Sequence, residues 1–394
     1  RAPVSADVTG SAIAAERASS SATPASAAPT PAVRGARALA GGEPIRVAIV
    51  GATGYVGAEL IRLLARHPNV ELVGLAGRGR DHDPIAGIHP HLVGTGLTVH
   101  AELPPADAVF LALPHGAAAA IVPDLVAAGS AVIDQGPDFR LRDPADYPRW
   151  YGFEHPRPDL LGQAVYGLPE LHREALSSLV DAPVAIVGAP GCYPTATLLA
   201  LAPLARAGLI GDLVVDAKSG VSGAGREAKP ELQFGEVNES VKAYGLGGHR
   251  HVAEIEQELV SIQAGAGLTA DANPGILAVD FLPHLIPMTR GILSACHVRP
   301  SRPIGQAELD ELYADAYADE PFVTVVATPP ATKHVTGSNQ VLVYVRLDER
   351  TGRIVAIGVE DNLVKGAAGQ AVQAFNLVHG LPETAGLEQL PLAP

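Results

Sequence analysis

The residue whose type and surroundings point most directly to chemistry is Cys192, in the stretch VGAPGCYPTA. A thiolate is a strong nucleophile, and the unpaired N–H groups at the start of a helix lower the pKa of a thiol. A run rich in Ala, Leu and Thr follows Cys192, and a first helical turn accepts Pro194. We therefore predict that Cys192 is a nucleophile activated by the helix that begins beside it. The other cysteine, Cys296, lies in the apolar run GILSACHV and is predicted to be an inert core residue.

A catalytic cysteine needs a proton-transferring group close to it in space, and the stretch YGLGGHRHVAEIEQEL offers one. His249 follows a glycine-rich loop and is our candidate acid/base. His251 and Glu254 lie in the first turn of a predicted helix, where they either support the site or cap the helix. A metal site would need a third ligand, and none has the required spacing. Arg140, in DFRL, is a candidate charge on the substrate side.

A glycine-rich turn near the start of the globular region predicts a nucleotide site. Gly51, Gly54 and Gly57 follow the first predicted strand and open the first predicted helix. Glycines in such a turn let the backbone approach a pyrophosphate, and the N–H groups of the helix start bind its charge. The spacing is G-x-x-G-x-x-G, so the alternative is a plain tight turn.

The residues after the second predicted strand favour NADP over NAD. This strand ends in AGRGRDHD, where Arg78 and Arg80 offer guanidinium groups to a 2′-phosphate. The alternative is that both arginines are solvated loop residues, and Asp81 and Asp83 stand in the same loop. A second loop, DAKSGVSGAGREAK, supplies hydroxyls, flexible backbone and Arg226, as expected of an anion or cofactor loop or of a mobile surface loop.

The elements that must position these residues fall into two patterns. From residue 45, short apolar runs alternate with helical stretches, which indicates a parallel sheet covered on both faces. We expect Pro123 to interrupt or kink one of these helices. After residue 193 the strands become longer and two helical runs lie among them, so we predict an α+β unit with a mixed or antiparallel sheet. The last helical run, residues 362 to 380, has an apolar face that suits either unit.

Composition sets the broad class of the protein. The chain has 394 residues, a hydrophobic share of 47% and a formal net charge of -14, and we predict two domains. The charge argues against nucleic-acid binding, because Lys and Arg are not clustered. No stretch approaches a membrane span. Two cysteines cannot form a disulfide framework, so we predict a reducing, cytoplasmic compartment. Residues 1 to 43, rich in Ala, Ser and Pro, are predicted to be a disordered tail; a remnant of an organelle-targeting peptide is the alternative.

Taken together, these residues resemble the N-acetyl-gamma-glutamyl-phosphate reductases of arginine biosynthesis. The resemblance covers about residues 45 to 394 and rests on motifs that occur in the family's order: GATGYVGAEL, FLALPHG, DFRL, YGLPEL, GCYPTATLLAL, SGVSGAGR, GHRHVAEI, PMTRGIL and DNLVKGAAGQAVQ. It implies an oxidoreductase of the semialdehyde dehydrogenase type that acts on a small acyl phosphate with NADPH. It also implies homo-oligomers, usually dimers or tetramers.

The resemblance implies an α/β architecture with a Rossmann-type, parallel-sheet NADP-binding domain over residues 44–190 and an α+β catalytic and oligomerisation domain over 191–360. A C-terminal helix, within 361–394, returns to the first domain. Cys192 matches the nucleophile and His249 the acid/base, and the remaining matches lie at or near the site. Those matched to the cofactor are Gly51, Thr53, Gly54, Tyr55, Val56, Gly57, Pro114, Ser222, Gly223 and Asn362, while His251 and Glu254 match residues close to the reacting groups.

Three alternatives remain open at this point. A related reductase acts on a longer, carrier-bound aminoadipyl phosphate in lysine biosynthesis, and its acidic carrier would need a basic patch that we do not find. Aspartate semialdehyde dehydrogenase uses the same thiol chemistry, but its Cys and His lie in different motifs. A non-catalytic NADP-binding regulator would not need Cys192 and His249 together with the cofactor loop.

Overall fold

The computed structural model describes residues 42–268 and 278–392. Residues 1 to 41, which make up almost all of the predicted tail, lie outside this range. Within it, no helix is long and apolar enough to cross a membrane.

The described residues form two large sheets connected by helices. The strands are β1 Ile45–Val50, β2 Val70–Ala76, β3 Asp83–Pro84, β4 Thr98–Val99, β5 Ala108–Leu111, β6 Ala131–Asp134, β7 Ala164–Tyr166, β8 Ile186–Gly188, β9 Ile210–Ser219, β10 Lys242–Ala243, β11 Asp280–Leu285, β12 Ile292–Pro300, β13 Val323–Val325, β14 Val341–Asp348 and β15 Arg353–Glu360. The helices are α1 Tyr55–Leu64, α2 Ile85–Ile88, α3 Ala118–Ala127, α4 Asp146–Tyr151, α5 Pro169–Ser177, α6 Cys192–Arg206, α7 Phe234–Val237, α8 His251–Gly265, α9 Gln306–Tyr317 and α10 Gly369–Val378.

The first sheet is parallel throughout, in the order β2-β1-β5-β6-β8-β7. Its strands bury both faces, because alternate residues contribute to different clusters: Val47 and Ile49 pack with α1 and α10, whereas Ala48 and Val109 pack with α3 and α4. This confirms the predicted Rossmann-type arrangement. The carboxyl ends of β1, β5 and β6 meet at one edge, where ligands of such folds bind.

The helix is not interrupted at Pro123, which was one of the two predicted effects of this residue. Helix α3 runs from Ala118 to Ala127 with Pro123 inside it. The helix lies against the sheet through Ala118, Ala119 and Val122, which are fully buried, and Asp138 accepts hydrogen bonds from the N–H groups of Gly116 and Ala119. Packing and this cap therefore hold the helix in spite of the N–H that proline lacks.

The second sheet is mixed, in the order β10-β11-β9-β12-β15-β14-β13. Strands β9 and β11 run parallel, as do β13 and β14, while β12 is antiparallel to both β9 and β15. Helix α6 packs on one face of the sheet, with α8 and α9 beside it. The opposite face carries no helix in the described chain, and its side chains are only partly buried.

The C-terminal segment returns to the first sheet. A π-helical turn, Val364–Ala368, leads into α10, and Val372 and Phe375 belong to the same core cluster as β1 and β5. The segment therefore crosses from the end of β15, in the second sheet, to α1 and α5 beside the first. This crossing places the residues that follow β15 between the two sheets.

Candidate active site

A cavity of about 320 Å³ lies where the two sheets meet. Its walls include the start of α1, the turn after β6, the start of α6, the loop after β9 and the turn after β15. The sequence-predicted residues that line it are Gly54, Tyr55, Val56, Gly57, Arg140, Cys192, Ser222, Gly223, Arg226, His251 and Asn362. A second cavity of about 400 Å³ adjoins it and is lined by Cys192, His249 and His251. Cys192 thus borders both spaces.

Cys192 is the first residue of α6, as the sequence predicts, but its thiol is not activated in the expected way. The pKa of this thiol is raised to about 12, chiefly by burial and in addition by the nearby Glu360 carboxyl. The Arg140 guanidinium and the backbone N–H of Tyr193 act in the opposite direction and are weaker. The N–H group of Tyr193 at the helix start does lower the pKa, but loss of hydration outweighs it and the net shift is upward. The resting side chain is a neutral thiol.

Glu254 holds the loop in front of the thiol. Its carboxylate is fully buried and accepts hydrogen bonds from the backbone N–H of Gly191 (2.9 Å), the Tyr166 hydroxyl (3.0 Å) and the Arg140 guanidinium (3.0 Å). It therefore fixes the residue before Cys192, and it does not cap α8. Its Oε1 atom lies 4.0 Å from His251 Nε2.

Arg140 holds two loops in place, and its expected role toward substrate stays a prediction. Besides Glu254, its guanidinium donates to the carbonyl oxygens of Ala189 (2.8 Å) and Gln135 (2.7 Å). These bonds join the turn after β6 to the loop that enters α6. The side chain still borders the cavity, and its positive charge opposes the rise in the thiol pKa.

His249 and His251 are neutral. Burial and the neighbouring Arg250 lower the pKa of His249 to about 4, and burial lowers that of His251 well below its usual value. The His249 ring lies among Tyr193, Tyr244 and Phe281, at ring-centre distances of 5.7, 5.5 and 5.3 Å. Its Nδ1 atom accepts the backbone N–H of His251 at 3.2 Å, which orients the ring. Both rings are therefore unprotonated at physiological pH, and a ring nitrogen of His249 is the proton acceptor nearest in type to a general base, weakened by its lowered pKa.

The glycine-rich turn has the shape of a pyrophosphate cradle. Gly51 has a φ of +89°, and a Cβ there would lie 2.2 Å from the Ala112 carbonyl oxygen. A Cβ on Gly57 would lie 2.3 Å from the Gly51 carbonyl oxygen. No side chain caps Gly54, the residue before α1. The first N–H groups of α1 are therefore available to an anion in the cavity, and the turn fits the phosphates of a dinucleotide.

A second loop closes the cavity from the other sheet. Asn362 donates through Nδ2 to the Ser222 hydroxyl (2.9 Å) and accepts through Oδ1 from the backbone N–H of Gly291 (2.7 Å). Arg226 donates to the carbonyl oxygens of Thr53 (3.1 Å) and Ile88 (3.1 Å). The loop that carries Ser222 and Gly223 is thus tied both to the end of β15 and to the glycine-rich turn.

Five predicted cofactor residues do not line either cavity within the described ranges. Gly51 shapes the turn, and Thr53 contributes its carbonyl to Arg226 while its side chain faces Gly77. Pro114 lies between Leu113 and His115, which do line the cavity. Arg78 and Arg80 follow β2 as expected, with Arg80 paired to Asp83 at 2.9 Å. Their role toward a 2′-phosphate stays a prediction.

Three residues that sequence reasoning missed also face the reacting centre. Arg250 borders both cavities and lies 3.4 Å from His115 Nδ1. Gln135 lines the first cavity, and neither side-chain amide atom has a protein partner among the described residues. Glu360 is fully buried beside Cys192. Arg250 stands between the two predicted histidines and could have been flagged, whereas nothing local marks Gln135 or Glu360.

Comparison with known families divides the chain at the same place as the two sheets do. Residues 46–179 match the family described as semialdehyde dehydrogenase, NAD binding domain. Residues 192–362 match the family described as semialdehyde dehydrogenase, dimerisation domain. The start of the second match coincides with Cys192.

Curated relatives cover nearly the whole described chain. A protein of Heliobacterium modesticaldum named N-acetyl-gamma-glutamyl-phosphate reductase is 48% identical over 366 residues, which is 89% of this chain and 100% of the relative. A protein of Geobacter metallireducens with the same name is 46% identical over 361 residues, or 89% of this chain and 100% of the relative.

Solved structures show the same fold at lower identity. Aspartate semialdehyde dehydrogenase II from Vibrio cholerae, complexed with ASA, has a TM-score of 0.61 at 22% identity and covers 85% of this chain and 98% of its own. Aspartate semialdehyde dehydrogenase with NADP from Candida albicans has a TM-score of 0.63 at 17% identity, covering 87% and 99%.

Proposed function

The chain belongs to the N-acetyl-gamma-glutamyl-phosphate reductase family, and we propose that it carries out that reaction with Cys192 as nucleophile and His249 as acid/base. The reaction is a step of arginine biosynthesis. It reduces N-acetyl-glutamyl 5-phosphate with NADPH to N-acetyl-glutamate 5-semialdehyde and phosphate. The observation that carries our assignment of roles is that Cys192 borders two adjoining cavities, one formed by the dinucleotide turn and the other by His249.

The dinucleotide site is built by the start of α1 and the loop after β9. The N–H groups that follow Gly54 bind the pyrophosphate, while Ser222 and Asn362 close the opposite wall. Arg78 and Arg80 are our proposed partners of the 2′-phosphate, since guanidinium groups bind phosphate in a bidentate way. NADPH, when bound, supplies the hydride for the reduction.

In the first chemical step, the Cys192 sulfur attacks the acyl-phosphate carbonyl and a thioester replaces the acyl–phosphate bond. The thiol proton ends on the departing phosphate, so this half-reaction is balanced without an external acid. We assign the transfer of that proton to His249, because its ring lines the same cavity as Cys192 and is unprotonated at rest. Since the resting thiol is neutral, the transfer has to accompany attack.

In the second step, the reduced carbonyl carbon releases sulfur and the aldehyde forms. The departing Cys192 thiolate must regain a proton before the next turnover, and because the first proton left with phosphate, His249 takes the second one from water and passes it to the sulfur. Backbone N–H groups at the start of α6 lie next to the sulfur and stabilise negative charge on the carbonyl oxygen, an effect worth about 3 kcal/mol per donor in other enzymes. Glu254 keeps this loop in place through its bond to Gly191.

Arg250 is our candidate for the substrate's anionic groups. It borders both cavities, and the guanidinium of Arg140 beside it is already committed to Glu254 and two carbonyl oxygens. An acyl phosphate with a free carboxylate needs a cation in a chain whose net charge is -14. Arg250 supplies one within the site.

We propose that a second copy of the chain covers the helix-free face of the second sheet. This sheet lies in the segment that matches a dimerisation domain. In-register, partly buried side chains cross the face from strand to strand, and they are mostly apolar. They include Val214, Leu293, Ala295, Leu342, Tyr344, Val355 and Ile357.

The domain limits 44–190, 191–360 and 361–394 stay our proposal for how the chain divides. Support comes from the separate core clusters of the two sheets and from the return of α10 to the first. A reducing, cytoplasmic compartment also stays a proposal. It is supported by the need for a free Cys192 and by the absence of a disulfide between the two cysteines.

The test of the proposed function is turnover by the purified full-length protein. We expect NADPH oxidation with N-acetyl-glutamyl phosphate, and reduction of NADP in the reverse direction with N-acetyl-glutamate semialdehyde and phosphate. A longer aminoadipyl phosphate and NADH serve as comparison substrates and should react more slowly. Absence of turnover with every substrate would favour a non-catalytic regulator and overturn the proposal.

A further inference from the structure

Glu360 is a buried carboxyl group that the reaction described above does not use. It is the last residue of β15, its exposed surface is zero, and neither carboxyl oxygen has a hydrogen-bond partner among the described residues. An unpartnered carboxylate in such a place is costly, so the group is held as a neutral acid. Burial accordingly raises the pKa of Glu360 well above its usual value.

The packing of α6 against β15 brings Glu360 to the nucleophile. Gly358 and Glu360 face the same side of the strand, and a Cβ on Gly358 would lie 2.2 Å from the Ala196 carbonyl oxygen of α6. Cys192 precedes Ala196 in α6 by about one helical turn, which is about 5.4 Å along the helix axis. Glu360 follows Gly358 in β15 by two residues, which is about 6.6 Å along the strand. The close contact at Gly358 therefore sets Cys192 opposite Glu360.

Gly366 confirms that the two side chains are neighbours. A Cβ on this glycine would lie 2.6 Å from Glu360 Oε1 and 2.8 Å from Cys192 Cβ. Both groups therefore pack on the same side of the Gly366 backbone. Any larger residue at this position would push them apart or displace the turn that leads into α10.

The charged groups around the pair leave Glu360 without a counter-ion of its own. Lys365 faces it from the π-helical turn, but the ammonium group donates to Glu170 Oε1 (2.6 Å) and Gln373 Oε1 (2.6 Å). Glu170, on α5, and the adjacent Asp361 add negative charge. Arg140 and Glu254, which also act on Cys192, are bonded to each other. With no counter-ion available, Glu360 is uncharged because it keeps its proton.

We propose that Glu360 is a positioning residue for the nucleophile: as a neutral acid it permits negative charge on the Cys192 sulfur, and as a carboxylate it opposes that charge. The inference rests on the proposed role of Cys192. It predicts that the two groups titrate as a coupled pair, so that thiolate formation is suppressed once Glu360 loses its proton. The reactivity of Cys192 then has an alkaline limit set by a residue that does not touch substrate.

The experiment is the rate of alkylation of Cys192 by iodoacetamide as a function of pH in the full-length protein, followed by mass spectrometry of the peptide. In the wild type, the rise in rate with pH should flatten where Glu360 ionises. In Glu360→Gln and Glu360→Met, the rate should continue to rise. The variants should match the wild type within about twofold near neutral pH and exceed it by about tenfold at alkaline pH, the ratio given by one pK unit.

The two variants separate charge from shape. Gln keeps the volume and polarity of the side chain and Met keeps only the volume, so a common profile identifies the ionisable group as the cause. Equal rates in wild type and variants at every pH would overturn the inference, and so would a uniform change at every pH, which indicates a structural role. If the Gln variant does not fold, the Met variant and Gly366→Ala, which displaces both groups, carry the same measurement.

Failure of this inference is distinguishable from failure of the proposed function. Alkylation is measured without turnover, so its pH profile does not depend on the substrate. If alkylated wild-type protein retained full activity, Cys192 would not be the nucleophile, whatever the profile of the variants.

Discussion

Cys192 and Cys296 carry thiols whose pKa burial raises to about 12 in both cases, yet their surroundings differ. Cys296 lies in the middle of β12, is fully buried in the second core cluster and has Ser294 Oγ at 3.8 Å as its polar neighbour. Cys192 begins α6, borders two cavities and has Arg140, Glu360 and His249 around it. The comparison teaches that the thiol pKa does not distinguish the proposed nucleophile from the core cysteine. Access to a cavity and a nearby proton acceptor do.

Removing each sulfur in turn should give the largest difference in kcat/KM between the two cysteines. Cys192→Ser should lower kcat/KM by at least about 10⁴-fold, because serine is a far weaker nucleophile without a dedicated base. Cys296→Ala should keep kcat/KM within about twofold of the wild type, since the residue faces the core. A fully active Cys192→Ser protein would remove the difference between the two cysteines and the mechanism with it.

The second-largest effect should come from replacing His249, the proposed proton acceptor near Cys192. His249→Asn should lower kcat by about 100-fold or more, the range of a lost general acid/base. His91→Asn, a change at an exposed imidazole outside both cavities, is the matched control and should leave kcat unchanged. If both variants behaved alike, the proton would move without His249.

The rate of alkylation in the absence of substrate compares the reactivity of the two thiols directly. Near neutral pH, Cys192 should react with iodoacetamide at least about tenfold more slowly than free cysteine, whose pKa is about 8.5, because the pKa of Cys192 is raised. Cys296 should react only after unfolding. A Cys192 that reacted faster than free cysteine would show that the helix start does lower its pKa.

The smallest effect is on stability, where the order of the two cysteines should reverse. Cys296→Ala removes a fully buried sulfur and should lower the free energy of unfolding by about 1 kcal/mol. Cys192→Ala removes a side chain that borders a cavity and should cost less than half as much. Urea denaturation of the two variants and the wild type measures the difference, and an equal cost would mean that Cys192 also contributes to the core.

The local sequence was sufficient for much of the fold and for proposing the candidate site residues. The apolar runs that begin at residue 45 form the strands of a parallel sheet, as predicted, and α6 begins at Cys192, where the sequence predicts a helix start. Such elements are readable because hydrophobic periodicity, glycine turns and helix starts are local properties. The same applies to Cys192, His249 and the glycine-rich turn, which have recognisable neighbours in the chain.

Tertiary structure alone decided the electrostatics of the site. The continuity of α3 through Pro123, the commitment of Arg140 to Glu254, and the raised pKa of Cys192 all depend on residues distant in the chain. The sequence by itself determined which residues are available for chemistry and which elements carry them. The balance between burial and helix charge at Cys192, and the presence of Glu360 beside it, arise only when α6 packs against β15, because desolvation and charge coupling depend on distance in space.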